Sequence, residues 1–108
     1  MAIAERHIGD LAGNARTAAD LLRVLANEHR LQILCALRTG ERSVGELAEH
    51  VALSQSALSQ HLARLRGDRV VETRRQGQTI LYRIADDEVM TVLEALAGVM
   101  ARRGERGL

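Results

Sequence analysis

Between Ala15 and Leu25 the apolar residues Ala18, Leu21, Leu22 and Leu25 recur at helical spacing, and Leu11 lies on a backward extension of the same stripe. This pattern predicts a first helix. Asn27 is a good N-cap for the next one, and Glu28 suits the positive end of its dipole. Leu31, Ile33, Leu34, Cys35 and Leu37 make that second helix apolar nearly all round, as expected of a helix at the centre of a domain. Thr39-Gly40 ends it, because glycine can take the left-handed conformation of a helix stop.

Two short elements follow closely. Ser43-Val44-Gly45-Glu46 has the spacing of a capping box and opens a helix carrying Val44, Leu47, Ala48 and Val51. After a break at Ala52-Leu53, Ser54 is a further N-cap, and Leu58, Leu62 and Leu65 follow at four- and three-residue spacing until Gly67-Asp68. The runs Val70 to Arg75 and Thr79 to Ile84 are β-branched and partly alternating. They flank Gln76-Gly77-Gln78 and predict a hairpin with Ile80, Tyr82 and Ile84 facing the core. Asp86 or Asp87 then caps a last helix with a wide stripe of Val89, Val92, Leu93, Leu96, Val99 and Met100. One small domain offers no obvious partner for that stripe, whereas two-fold pairing with a second copy would bury it.

The order helix, helix, short helix, tight turn, helix, hairpin, helix is that of a winged helix-turn-helix. The expected fold is therefore mainly α, one domain over 1–108. The helix-turn-helix lies at 43–66, a two-stranded wing at 70–85, and helices at 15–25 and 86–103 pair two copies as a homodimer. Composition agrees: the chain has 108 residues, no proline, tryptophan or phenylalanine and one tyrosine, so its core must be aliphatic. No apolar run approaches the roughly 20 residues of a membrane span, and Glu5, Arg6 and Asp10 do not fit a secretory leader, which points to a cytoplasmic protein without membrane contact. A single cysteine, Cys35, excludes an intramolecular disulfide and any zinc site built on cysteine pairs.

Net charge is only +1, but it is unevenly spread. Residues 54–85 hold Arg64, Arg66, Arg69, Arg74, Arg75 and Arg83 against Asp68 and Glu72, while the segments before and after are net acidic. A basic third of the molecule suits a phosphate backbone, and so the expected partner is double-stranded DNA. In a helix-turn-helix the second helix enters the major groove, its N-terminal residues nearest the base edges. Turning Leu58, Leu62 and Leu65 inward leaves Ser56, Ser59, Gln60 and Ala63 outward, with Gln55 and Arg64 on the flanks. Glutamine can pair bidentately with adenine and serine can serve bases or phosphates, which makes Gln55, Ser56, Ser59 and Gln60 the candidate readers. At the hairpin tip, Arg74, Arg75, Gln76 and Gln78 suit a wing along the backbone or in the minor groove. The competing readings are a solvated polar surface and a winged-helix module that binds protein. An enzyme has little support: Ser56 faces away from His61, and no glycine-rich phosphate loop is present.

Three stretches, Leu25-Ala26-Asn27-Glu28-His29-Arg30-Leu31-Gln32-Ile33-Leu34, Leu53-Ser54-Gln55-Ser56-Ala57-Leu58-Ser59-Gln60-His61-Leu62 and Thr73-Arg74-Arg75-Gln76-Gly77-Gln78-Thr79-Ile80-Leu81-Tyr82-Arg83, resemble the ArsR/SmtB family of bacterial repressors over residues 17–100. The resemblance implies a homodimer paired through its first and last helices, bound to an operator with two related half-sites and blocking transcription. The family's metal sites have no counterpart here. Glu46-Leu47-Ala48-Glu49 replaces the cysteines of one, and the last helix has Asp86, Asp87, Glu88 and Glu94 but no histidine for the other. His61 resembles a structural residue of the family, and His7, His29 and His50 have no ligand-spaced partner, so no metal or cofactor is expected. Ile33-Leu34-Cys35-Ala36-Leu37 resembles the family's sulfur-responsive subgroup, yet Met100-Ala101-Arg102-Arg103 stands where a second cysteine would be. The pattern without the pair is that of the nodulation-repressor type. Cys35 is accordingly expected to be a small buried hydrophobe, with a thiol-responsive repressor as the alternative.

Overall fold

The computed structural model describes residues 2–105. Among these the elements run α1 (Ala2–Gly13), α2 (Ala15–Leu25), α3 (Glu28–Leu37), β1 (Arg42–Ser43), α4 (Val44–Ala48), α5 (Gln55–Gly67), β2 (Val71–Gln76), β3 (Thr79–Ile84) and α6 (Asp87–Glu105). None of these helices is long and apolar enough to cross a membrane.

Local chemistry sets most boundaries. The Asn27 side chain accepts from the backbone N–H groups of His29 and Arg30, both at 3.0 Å, and so starts α3. Ser43 and Glu46 form the reciprocal capping box of α4, at 3.2 and 3.0 Å. Ser54 Oγ accepts from Ala57 N–H at 3.1 Å and starts α5. A cap of this kind contributes about 1 kcal/mol. Two helix C-termini are closed by arginines: Arg30 Nε donates to the Val24 carbonyl at 2.6 Å and Arg42 Nε to the Ala36 carbonyl at 2.7 Å. Both act on orphan carbonyls at the negative ends of α2 and α3.

The core brings together Leu25, Ile33, Leu34, Leu37, Leu47, Val51, Leu58, Leu62, Leu65, Val70, Val71, Val89 and Leu93. Leu47 of α4 and Leu58, Leu62 and Leu65 of α5 are completely buried, which fixes both helices of the turn pair on α3. Side chains so enclosed are held by close packing, so the outer face of α5 is presented on a rigid support.

Three features depart from the sequence expectation. Leu11 does not extend the α2 stripe but belongs to a separate helix, α1, divided from α2 at Asn14, whose side-chain amide donates to the Asp10 carbonyl at 2.9 Å. The sheet has three strands in the order β1-β3-β2, with Arg42 opposite Tyr82 and Ser43 opposite Leu81. A two-residue strand carries no alternation of its own and forms only because β3 offers a free edge. Its consequence is that Ser43, the cap of α4, lies opposite Leu81 of the wing. Third, Cys35 is exposed, not buried. On α3 the core is met by Ile33, Leu34 and Leu37, and the intervening turn carries Cys35 to the opposite flank, between His50 and the α6 residues Leu93 and Ala97.

The hairpin register pairs Gln76 with Thr79, leaving Gly77 and Gln78 as a two-residue loop. Gly77 takes φ +64°, the left-handed conformation that such a turn asks of its first residue. Tyr82 and Ile84 pack on the core as expected, whereas Ile80, half-buried on the same face opposite Arg75, lies beyond the residues packed against it.

Candidate nucleic-acid interface

Because Leu58, Leu62 and Leu65 point into the core, the first two turns of α5 present Gln55, Ser56, Ser59 and Gln60 to the outside, all exposed. They form an uncharged polar face rich in hydrogen-bonding groups. Ser54 stands apart from it, its hydroxyl occupied by the cap. Arg64 is also exposed, but its Nε donates to Asp68 Oδ2 at 2.9 Å along the helix. This exposed i,i+4 pair engages one carboxylate oxygen and is weak, so Arg64 can exchange its partner for phosphate at small cost.

The inner flank of α5 is set by histidines. His61 and His29 lie with ring centroids 5.7 Å apart and planes tilted by 42°, joining α5 to the first turn of α3. Burial, followed by the positive charges of Arg30 and His29, holds His61 below the ordinary histidine value. The Nδ1 of His29 is buried without a hydrogen-bond partner. Among the described residues no group of three or more histidine, cysteine or acidic side chains is placed to hold a metal ion.

The wing separates two arginines that the sequence had grouped. Register places Val71, Thr73 and Arg75 on the face shared with Ile80, Tyr82 and Ile84, and Glu72, Arg74 and Gln76 on the face shared with Thr79, Leu81 and Arg83. On that second face Arg74 Nε donates to both carboxylate oxygens of Glu41, at 2.9 and 2.6 Å, and Arg83 pairs with Glu72. The Arg74 hydrogen bond holds the Glu41 carboxyl below its usual range, and Glu41 in turn raises Arg74. Arg75 is exposed and has no ion pair among the described residues, and Gln76 and Gln78 at the tip are exposed as well. Sequence reasoning missed Glu41, whose role depends on a partner 33 positions away.

Away from this face, α6 continues past the core residues Val89 and Leu93 into Leu96, Val99 and Met100, which are exposed together with Leu22, Ile8 and Leu11. Leu22, Leu25, Leu31, Val92 and Leu96 line an apolar groove between α2, α3 and α6.

This arrangement of capped turn pair and wing has close counterparts. Residues 27–73 match the family described as bacterial regulatory protein, arsR family. The transcriptional activator HlyU of Vibrio cholerae is 48% identical over 93 residues, covering 86% of each chain. The chain belongs to the arsR family. Its fold is shared with the transcriptional repressor BigR from Xylella fastidiosa, with a TM-score of 0.80 at 37% identity over 84% of this chain and 93% of that one. It is shared too with Mb0332 from Mycobacterium bovis, a homodimeric winged helix-turn-helix DNA-binding domain, with a TM-score of 0.75 at 33% identity over 88% of each. As an arsR-family member, the chain is a winged helix-turn-helix transcription regulator, with α4 and α5 as the turn pair and β2–β3 as the wing.

Proposed function

We propose that this arsR-family regulator is a repressor that binds, as a homodimer, a DNA operator with two related half-sites. The observation that carries the reading is the polar N-terminal face of α5. Gln55, Ser56, Ser59 and Gln60 stand exposed in its first two turns above leucines that are completely buried. Such a helix fits the major groove, where glutamine amides can read adenine and serine hydroxyls either a base or a phosphate. Arg64 approaches the backbone from the flank of the helix, and Arg75, Gln76 and Gln78 do so from the wing.

Two-fold pairing supplies the second half-site. The exposed Leu22, Leu96, Val99 and Met100 are the surface that it would cover, and the homodimeric state of Mb0332 supports the pairing. A bound dimer represses when its operator overlaps the promoter. BigR is named a transcriptional repressor and HlyU a transcriptional activator, and the reading for this chain follows the former. Titration of the chain against its own upstream DNA, with footprinting at two salt concentrations, tests the proposal. Two protected half-sites about one helical turn apart, or a multiple of that distance, are expected. Equal binding to random DNA at both salts would leave a protein-interaction module as the better reading.

A thiol-responsive repressor is the second reading, favoured by the exposure of Cys35 in a groove beside α6. Alkylation of Cys35 that leaves operator affinity and dimerisation unchanged removes it.

A further inference from the structure

Beyond the strand pairing and core packing at its base, the wing is joined to the loop after α3 by one acidic side chain, Glu41. Glu41 sits in the loop after α3, immediately before β1, and crosses the face of β3 to reach Arg74 on β2. The guanidinium Nε donates to both carboxylate oxygens, at 2.9 and 2.6 Å, and the Glu41 side chain is only 28% exposed against 53% for Arg74. The carboxylate is therefore the more enclosed partner and the arginine the more exposed one. Both side chains line an open cleft of about 520 Å³ together with Leu37, Arg38, Arg83 and Met90, which leaves space beside Arg74. Arg75, one residue on and on the other face, has no such carboxylate among the described residues.

We propose that Glu41 is a positioning residue for the wing. It stands in for a phosphate on Arg74 and keeps that arginine out of the contact with DNA, so that the ionic contribution of the wing falls to Arg75. The inference rests on the DNA-binding reading above and refines it. Two anions compete for one guanidinium. Glu41 is present at unit stoichiometry with its geometry already set, whereas a phosphate must be brought to the outer face of the sheet. The hydrogen bonds from Arg74 to both Glu41 oxygens are charge-assisted and so of the stronger kind. Holding one arginine back also limits the sequence-independent part of the affinity, which grows with each phosphate neutralised.

The test is the slope of log affinity against log salt for the intact chain on its operator. Each phosphate contact contributes about 0.9 to that slope. Arg75→Gln should reduce the slope by about one contact. Arg74→Gln should leave it unchanged, and Glu41→Gln should increase it by about one contact as Arg74 is released. The double variant Glu41→Gln with Arg74→Gln separates release of the arginine from simple loss of negative charge: its slope should return to the wild-type value. Circular dichroism melts of each variant establish that the wing and core remain folded. Loss of slope on Arg74→Gln, with no gain on Glu41→Gln, would show Arg74 already on phosphate and overturn the proposal. A gain that persists in the double variant would overturn it as well. Absence of specific binding by the wild type would instead defeat the DNA-binding reading itself.

Discussion

His61 of α5 lies against His29 in the first turn of α3, ring centroids 5.7 Å apart. Burial is the main cause that lowers the His61 pKa from 6.5, with Arg30 and His29 adding to it. A histidine depressed in the native state binds fewer protons there than in the unfolded chain. Stability is thus intact above the unfolded value and falls as pH drops through about 6.5 toward the native pKa. Melting temperature should decline between about pH 7 and pH 5, and His61→Gln should flatten that decline. Parallel curves for the two proteins would show that other groups govern it.

Arg69 is the non-glycine residue with a left-handed backbone among the described residues, at φ +61°. It occupies the position after the cap of α5, where Val70 N–H returns to the Leu65 carbonyl at 2.9 Å and Arg69 N–H to the Arg66 carbonyl at 3.0 Å. That closure is the Schellman arrangement, which favours glycine at the residue that Arg69 fills. Arg69→Gly should raise stability by about 1 kcal/mol in urea unfolding, since the strain on a side-chain-bearing residue exceeds the added chain entropy. A destabilised variant would mean that the arginine side chain contributes more than its backbone costs.

Leu96 lies at the middle of the apolar surface of α6 and lines the groove with Leu22 and Val92. Placing a carboxylate there should oppose burial against a second copy while leaving the core, which ends at Leu93, intact. Sedimentation of Leu96→Asp should shift toward monomer by tenfold or more in dissociation constant, with circular dichroism unchanged. An unaltered dimer would move the interface elsewhere.

The parts of this fold that the sequence disclosed are those determined locally. Asn27, Ser43 with Glu46, and Ser54 each satisfy orphan amides a few residues ahead, so their helices could be read from spacing alone. The inward leucines of α5 and the turn at Gly77 were legible for the same reason. What stayed hidden depends on distant partners. β1 exists only against β3, and Cys35 is exposed because Ile33, Leu34 and Leu37 already fill the core side of α3. At the candidate site the exposed positions of α5 followed from helical periodicity. The division between Arg74 and Arg75 did not, because alternation along β2 says that they face apart but not that Glu41 waits on one side.

The central claim is that the N-terminal face of α5 reads bases, and the most direct measurement is the ratio of specific to random-sequence affinity for Gln55→Ala and Gln60→Ala. Bidentate base contacts are worth about 1–3 kcal/mol of discrimination, so each variant should lose roughly tenfold or more on the operator and little on random DNA. Equal losses on both DNAs, or none on either, would contradict the claim.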